Sequence, residues 1–263
     1  MKISLTNAPV WINANPSLKY FDGRIVRYLS KQTPIAYWEY AQTLDEASSL
    51  DIALTLLHDY LKSRSQPVDL VGHSTGGVLA LLYARRYPAR VKSLTLLGVG
   101  FAPAIDWQAH YYQMRKLLPC SQDVVLGRMV KMMFGHQSRS NVIDLVKILK
   151  QDLYTTPTNH SIYQLDRIEC GGVSMPMMVC GSNNDSIVDR NALKDWANYL
   201  KQDDVLWMIP EGHHFFHYFF PELTGRKIIK FWQNVDLELN ARLGDRSPIS
   251  SKPLALKKTY YPY

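Results

Sequence analysis

Val68 to Gly77 reads V-D-L-V-G-H-S-T-G-G, and this stretch decides the fold. Apolar Val68, Leu70 and Val71 run into a Gly-x-Ser-x-Gly turn with Ser74 at its centre, between Gly72 and Gly76. V-L-A-L-L-Y-A-R-R-Y-P follows, Val78 to Pro88, of helical length and stopped by its proline. The pattern predicts a strand, a tight turn and a helix, with a serine at the tip. In an elbow of this kind the serine takes strained dihedrals and holds its oxygen above the sheet. Glycines are expected beside it because a Cβ there would collide with the adjoining strand and helix. A Gly-Ser-Gly loop also occurs as an ordinary turn, so the remaining chain has to supply what a reactive serine needs.

On the N-terminal side, A-P-V-W-I (Ala8 to Ile12) ends in N-A-N-P-S (Asn13 to Ser17) and predicts a strand entering a turn. Phe21, Ile25, Val26 and Leu29 have helical spacing. P-I-A-Y-W-E-Y (Pro34 to Tyr40) is a second β-rich run. T-L-D-E (Thr43 to Glu46) has capping-box form and predicts a helix through Lys62, with Leu50, Ala53, Leu54, Leu57 and Leu61 on one face. After the elbow and its helix, V-K-S-L-T-L-L-G-V (Val91 to Val99) is another buried strand. Strands alternating with helices predict an α/β fold, a mostly parallel central sheet flanked by helices. Right-handed crossovers then set the loops at Asn13–Ser17, Ser74, Gly100 and Asn183–Asp185 along one rim.

The alternation breaks after Gly100. W-Q-A-H-Y-Y-Q-M-R-K-L-L, V-V-L-G-R-M-V-K-M-M-F and V-I-D-L-V-K-I-L-K are helical patterns, and no strand is expected before about Gly172. The expected organisation is a core from 1–100 and 173–243, a helical insertion at 101–172, which the family resemblance below makes a cap or lid, and a C-terminal tail at 244–263. Met114, Met129, Met132, Met133 and Phe134 fill the cap's own core. Met114, Met129, Met133 and Phe134 are also candidates for lining an apolar substrate pocket, since methionine adapts to irregular ligands. Met175 to Cys180 resumes the strands and ends in G-S-N-N-D-S-I-V-D. A helix at Asn191–Leu200, a last strand at Val205–Ile209, the loop P-E-G-H-H-F-F-H and a helix from Pro221 to about Leu239 complete the domain.

Composition narrows the function. With 263 residues, 46% of them hydrophobic, the chain can bury a sizeable core. Cys120, Cys170 and Cys180 are odd in number and lack metal-ligand spacing, which predicts a reduced, cytoplasmic protein without a metal site. Met1 to Trp11 has no sustained apolar region, so no signal peptide is expected, and no apolar run nears the ~20 residues of a membrane span. The net charge of +7 is not gathered into a nucleic-acid-binding cluster, so no nucleic acid is expected. It leaves room for peripheral contact with a membrane surface.

A serine hydroxyl is a weak nucleophile and needs a base, which in turn needs an orienting partner. Ser74, then Asp185, then the pair His213–His214 each follow a predicted strand. Asp189 competes with Asp185 but falls where a helix cap is expected. Either member of the pair can be the base: His213 follows Gly212 directly, His214 stands next to it, and the family resemblance below favours His214 and keeps His213 as the alternative. His217 is expected to pack locally, and His73 to be a buried support.

The sequence resembles the α/β-hydrolase superfamily. The likeness is carried by G-H-S-T-G-G at 72–77, R-R-Y-P-A-R-V-K-S-L-T-L-L at 85–97, C-G-S-N-N-D-S-I-V at 180–188 and E-G-H-H-F-F-H-Y-F-F-P-E at 211–222. It implies a lid-bearing serine hydrolase, of esterase or lipase kind, that cleaves a hydrophobic carboxylic ester through Ser74, His214 and Asp185 without a cofactor. It also implies an oxyanion hole built from the backbone N–H of Thr75 and of Ala14 or Asn15. Here Asn13-Ala14 stands where His-Gly is usual, and losing the glycine restricts that loop. Two alternatives remain open: a carbon–carbon bond hydrolase on the same fold, and a non-catalytic ligand-binding or scaffold protein.

Overall fold

The computed structural model describes residues 7–43, 45, 48–158 and 168–244. Six strands, β1 (Val10–Asn13), β2 (Ala36–Glu39), β3 (Val68–His73), β4 (Val91–Leu97), β5 (Met177–Ser182) and β6 (Val205–Ile209), form one sheet. Their order is β2-β1-β3-β4-β5-β6. Every pairing is parallel, with Ile12 beside Gly72, His73 beside Leu97 and Cys180 beside Trp207. All carboxyl ends therefore open on one rim, and the loops after β1, β3, β5 and β6 meet there.

The sheet is buried on both faces, as βαβ crossovers require. Residues of one parity along the strands, Trp11, Val71, Leu97, Met178 and Cys180, pack with Ile25, Leu29, Ile228 and Trp232 of α1 (Gly23–Leu29) and α9 (Pro221–Gly244). The other parity, including Val10, Ile12, Leu70, Leu96 and Val179, packs with α2 (Leu50–Leu61) and α3 (Ser74–Arg86). In α2, Ala53, Leu54, Leu57 and Leu61 face this core, and Leu50 is half-buried.

Several boundaries differ from the sequence reading. α2 opens at Leu50, where the Ser49 side chain accepts from Asp51 N. The Thr43–Glu46 box lies partly outside the described residues, and the helix does not start from it. The Phe21–Leu29 pattern divides into a 3₁₀ helix, Pro16–Asp22, and α1, because Pro16 sets the first turn. The helix expected at Asn191–Leu200 is α7 (Arg190–Lys194) followed by a 3₁₀ turn. The tail beyond Gly244 lies outside the described residues.

Between β4 and β5 the described chain contains α4 (Trp107–Leu117), α5 (Gln122–Phe134) and α6 (Arg139–Thr155) and no strand. α4 and α6 are capped by the side chains of Asp106 and Ser138, which accept from Ala109 N and Asn141 N. Val125, Leu126, Met129, Val130 and Met133 of α5 are buried.

The elbow depends on close backbone approach. A Cβ on Gly72 would sit 2.5 Å from the carbonyl carbon of Gly76, and one on Gly76 would overlap the carbonyl oxygen of Ile12. One on Gly77 would come within 2.6 Å of Val99. Strand, helix start and neighbouring strand thus touch through hydrogens alone. Gly127, inside α5, has open space around it. Gly76→Ala is expected to destabilise by at least about 2 kcal/mol in urea unfolding. Gly127→Ala should stabilise by about 0.5–1 kcal/mol, because its gain is in helix propensity.

Candidate active site

Ser74 is the first residue of α3 and has φ of 49°, a left-handed conformation that costs a side-chain-bearing residue roughly 1–3 kcal/mol. Its Oγ is buried and has no hydrogen-bond partner among the described residues. The next N–H, of Thr75, belongs to the first turn of α3, where backbone donors have no partner within the helix.

The loop after β5 carries Asp185. Its Oδ1 accepts from Ile187 N at 2.8 Å and Val188 N at 3.1 Å. Its Oδ2 lies 2.9 Å from His214 Nδ1, with both side chains buried. Nδ1–H of a neutral His214 donates to that carboxylate, which leaves Nε2 as a free acceptor. His214 Nε2 is buried and without a partner among the described residues. Ser74 and His214 line the same cavity, with Asn13, Asn15, Trp107 and Met133. Its free volume is about 10 Å³, room for a single water.

The adjacent histidine is turned elsewhere. Gly212 and His213 have φ of 126° and 54°. This twist sends the His213 ring against Gly135 at the end of α5, while its N–H donates to Asn184 Oδ1 at 2.9 Å. Asp189 caps α7, accepting from Asn191 N and Ala192 N, whereas the carboxylate bonded to His214 is that of Asp185.

His73 is fully enclosed. Burial, with His217 and His214 nearby, holds its pKa well below the usual imidazole value. The neutral ring donates Nε2–H to the His214 carbonyl at 2.9 Å. A second carboxylate–imidazole pair stands behind it. His217 Nε2 donates to Asp22 Oδ1 at 3.2 Å, and the His217 ring lies 4.3 Å from that of His73. Asp22 Oδ2 accepts from Trp11 Nε1, Asn13 Nδ2 and Tyr37 Oη at 2.8–3.2 Å. Asp22, His73 and His217 form the described group whose ligand atoms are close enough to consider for a metal. Asp22 is already engaged by Trp11, Asn13, Tyr37 and His217, and His73 Nε2 by backbone, while His217 Nδ1 is buried without a partner among the described residues.

Asn13 and Asn15 occupy the rim beside Ser74. Asn15 N donates to Asn13 Oδ1 at 2.8 Å, so this amide is held inside its own loop. The Asn15 side-chain amide donates to Asp152 Oδ2 at 3.2 Å and Thr156 Oγ1 at 3.3 Å. Ala14 is buried between them. Of the candidate pocket residues, Met133 lines the cavity beside Ser74, and Phe134 lines a neighbouring groove. Met129 is buried in the insertion's core and Met114 is half-buried against it; neither lines either space.

Asp152 was not singled out from the sequence. It extends the buried stripe Leu145–Leu149–Asp152 of α6, and a carboxylate on an apolar stripe is the signal that could have found it. Trp107 Nε1 also donates to its Oδ2, and Thr156 Oγ1 to its Oδ1. Burial raises its pKa from 3.8 to about 7.

A parallel sheet with a strained serine at a strand-to-helix turn and an imidazole–carboxylate pair on the same rim defines a class of fold. The sequence profile described as "alpha/beta hydrolase fold" matches residues 60–127. An uncharacterized protein of Nostoc sp. (strain PCC 7120) is 45% identical over 224 residues, 85% of this chain and 90% of that one. An uncharacterized protein of Synechocystis sp. (strain PCC 6803) is 40% identical over 226 residues, 86% and 90%. The crystal structure of a putative lipase from Acinetobacter baumannii superposes with a TM-score of 0.70 at 18% identity, covering 89% of this chain and 86% of that one. The chain belongs to the α/β-hydrolase family. Among the described residues, no helix is long and apolar enough to cross a membrane.

The raised pKa of Asp152 has a thermodynamic consequence. A carboxyl with pKa 3.8 unfolded and about 7 folded contributes stability that is fully present below the unfolded value. That stability is lost as pH rises through the folded value. Asp152→Asn removes this loss. The Tm of the variant relative to wild type is expected to be higher at about pH 8 than at about pH 4. Thermal unfolding monitored by circular dichroism at the two pH values checks the sign.

Proposed function

We propose that the protein is a serine hydrolase that cleaves a hydrophobic carboxylic ester, with α4–α6 as a cap over the site. The carrying observation is the buried Asp185–His214 pair, whose free Nε2 shares a cavity with the unpartnered Oγ of Ser74. His214 Nε2 takes the Ser74 proton as Oγ bonds to the ester carbonyl carbon. The negative charge on the carbonyl oxygen faces the N–H of Thr75 at the helix start. As the tetrahedral intermediate collapses, His214 returns the proton to the leaving alkoxide, which departs as the alcohol. A water then gives its proton to His214 and attacks the acyl carbon. Release of the acid restores the Ser74 hydroxyl. No step calls for a metal or organic cofactor.

The catalytic cavity is too small for a substrate, so the cap has to shift for binding. The hydrophobic part of the ester has an adjacent place to go. A groove of about 250 Å³ is lined by Phe21, Phe134, Leu145, Ile148, Tyr218 and Phe219. Phe134 stacks on Phe215 at 4.6 Å, and Phe215 lines the catalytic cavity. The exposed Tyr20 and Phe219 at this groove suit contact with a lipid surface during substrate uptake. The free cysteines fit a cytoplasmic location.

A fluorophosphonate probe tests the chemistry. Wild type and His213→Ala are expected to label and to hydrolyse p-nitrophenyl butyrate within about tenfold of each other. Ser74→Ala should not label, and His214→Ala should lose a factor of about 10³ or more. Labelling of Ser74→Ala would end the proposal. The self-bonded Asn15 N–H favours a second reading, a non-catalytic ligand-binding protein. That reading predicts a folded wild type inert to the probe. Leu145→Trp fills the groove and is expected to lower kcat/KM for a long-chain p-nitrophenyl ester at least about tenfold more than for the acetate.

A further inference from the structure

Helix α6 meets the core at the rim loop after β1. Ser17 Oγ bonds Thr155 Oγ1 at 3.0 Å, and Gln42 N donates to the Thr155 carbonyl at 2.9 Å. One contact in this seam is deeper than the others. Asp152 is fully buried, and its side chain accepts from three neutral donors: Asn15 Nδ2, Trp107 Nε1 and Thr156 Oγ1. Gln108 Nε2 bonds its backbone carbonyl at 3.4 Å. The charged group acting on it is Asp106, at the N-terminus of α4, and no described cation offsets its charge. A buried carboxylate among donors only, without a cation, is costly for stability and is not explained by packing.

What it holds is the loop beside Ser74. The loop is fixed from the core by Asn13 Nδ2 on Asp22 and from the insertion by Asn15 Nδ2 on Asp152. With both amides anchored, the Asn15 N–H has one acceptor, Asn13 Oδ1. An oxyanion accepts hydrogen bonds about twice as strongly as a neutral amide carbonyl. It can therefore draw this N–H away from Asn13, provided that the residue itself stays in place. We propose that Asp152 is a positioning residue: the carboxylate of the helical insertion that holds Asn15, so that its backbone N–H can pass from Asn13 to the transition-state oxygen. The proposal rests on the serine-hydrolase reading, and it ties assembly of the oxyanion hole to closure of the insertion.

The ionised carboxylate accepts all three bonds, whereas the protonated form must also turn a hydroxyl toward one of those donors. The hold on Asn15 therefore strengthens as pH rises through about 7. Three variants separate positioning from scaffolding. Asp152→Asn keeps the shape and one acceptor, Asp152→Ala removes the contact, and Ser17→Ala breaks another bond of the same seam. With a p-nitrophenyl ester, the ratio of wild-type to Asp152→Asn kcat is expected to be near one at about pH 5.5. It should rise to about tenfold by about pH 8.5, with KM changed less than about twofold. Asp152→Ala should lose about tenfold or more across the range, and Ser17→Ala should follow wild type. A ratio independent of pH, a loss carried by KM, or an equal loss in Ser17→Ala overturns the proposal.

A second readout needs no catalysis. The Asn15 side-chain amide signals of wild type should titrate with a midpoint near 7 and be flat in Asp152→Asn. Flat signals in wild type overturn the positioning role even in an active enzyme. A wild type inert to the fluorophosphonate probe, with the titration present, overturns the hydrolase reading while leaving the contact between Asp152 and Asn15 in place.

Discussion

The arrangement depends on how closely backbones approach at one point. At Gly72, Gly76 and Gly77 the end of β3, the start of α3, the end of β1 and Val99 just beyond β4 meet with no room for a Cβ. This contact brings the first turn of a helix over the ends of central strands and forces Ser74 into a left-handed conformation. The strain is maintained by everything packed around it: α3 is buried along most of its length. Helix and sheet together over-determine the turn, and one polar side chain is left projecting into the rim cavity.

From this constraint the other groups follow by topology. Parallel strands deliver each following loop to the same rim. Asp185 and His214, 29 positions apart in sequence, arrive there as a hydrogen-bonded pair. Their surroundings are not solvent. His214 is braced from behind by His73 on its carbonyl and from the insertion by Met133, whose carbonyl accepts its N–H at 3.2 Å. Behind His73, the Asp22–His217 pair ties α8 (Phe216–Phe219) to the Asn13 loop. Among the described residues the rim holds two buried imidazole–carboxylate pairs, each with one unpartnered ring nitrogen, and of the two imidazoles it is His214 that lines the cavity of Ser74. The other pair has its carboxylate surrounded by four donors.

Much of this was legible in the sequence because it is carried by strong local signals. Apolar runs with turn residues at fixed offsets gave the strands to within a few residues, and the Gly-x-Ser-x-Gly turn marked the elbow. The order of serine, aspartate and histidine pointed to residues that the fold gathers on one rim. Less was legible where tertiary twist decides. Between His213 and His214, neighbours of one type, spacing argued weakly; the positive φ angles of Gly212 and His213 send one ring to Gly135 and the other to Asp185. The insertion's methionines were legible as apolar, but not which of them meets the cavity. That depends on how α5 is rotated against the core.

The least legible feature was Asp152, because its meaning is a long-range one. Read alone, it is one acidic residue near the end of a charged helix. In the fold it sits on the buried stripe of α6, 137 positions from the asparagine it holds. Ionising a carboxyl there is expensive, and the cost falls on stability as pH rises through about 7. An apolar side chain of similar size would remove that cost and would also remove the acceptor that fixes Asn15. A fold that retains the costly group at the seam between insertion and core is trading stability for a defined loop geometry beside Ser74. The carboxylate also makes that geometry depend on the insertion being closed. When α6 lifts, the Asn15 side chain loses its partners on the insertion, and the loop beside Ser74 keeps only bonds within the core, among them Asn13 Nδ2 on Asp22 and Leu18 N on the Asn15 carbonyl.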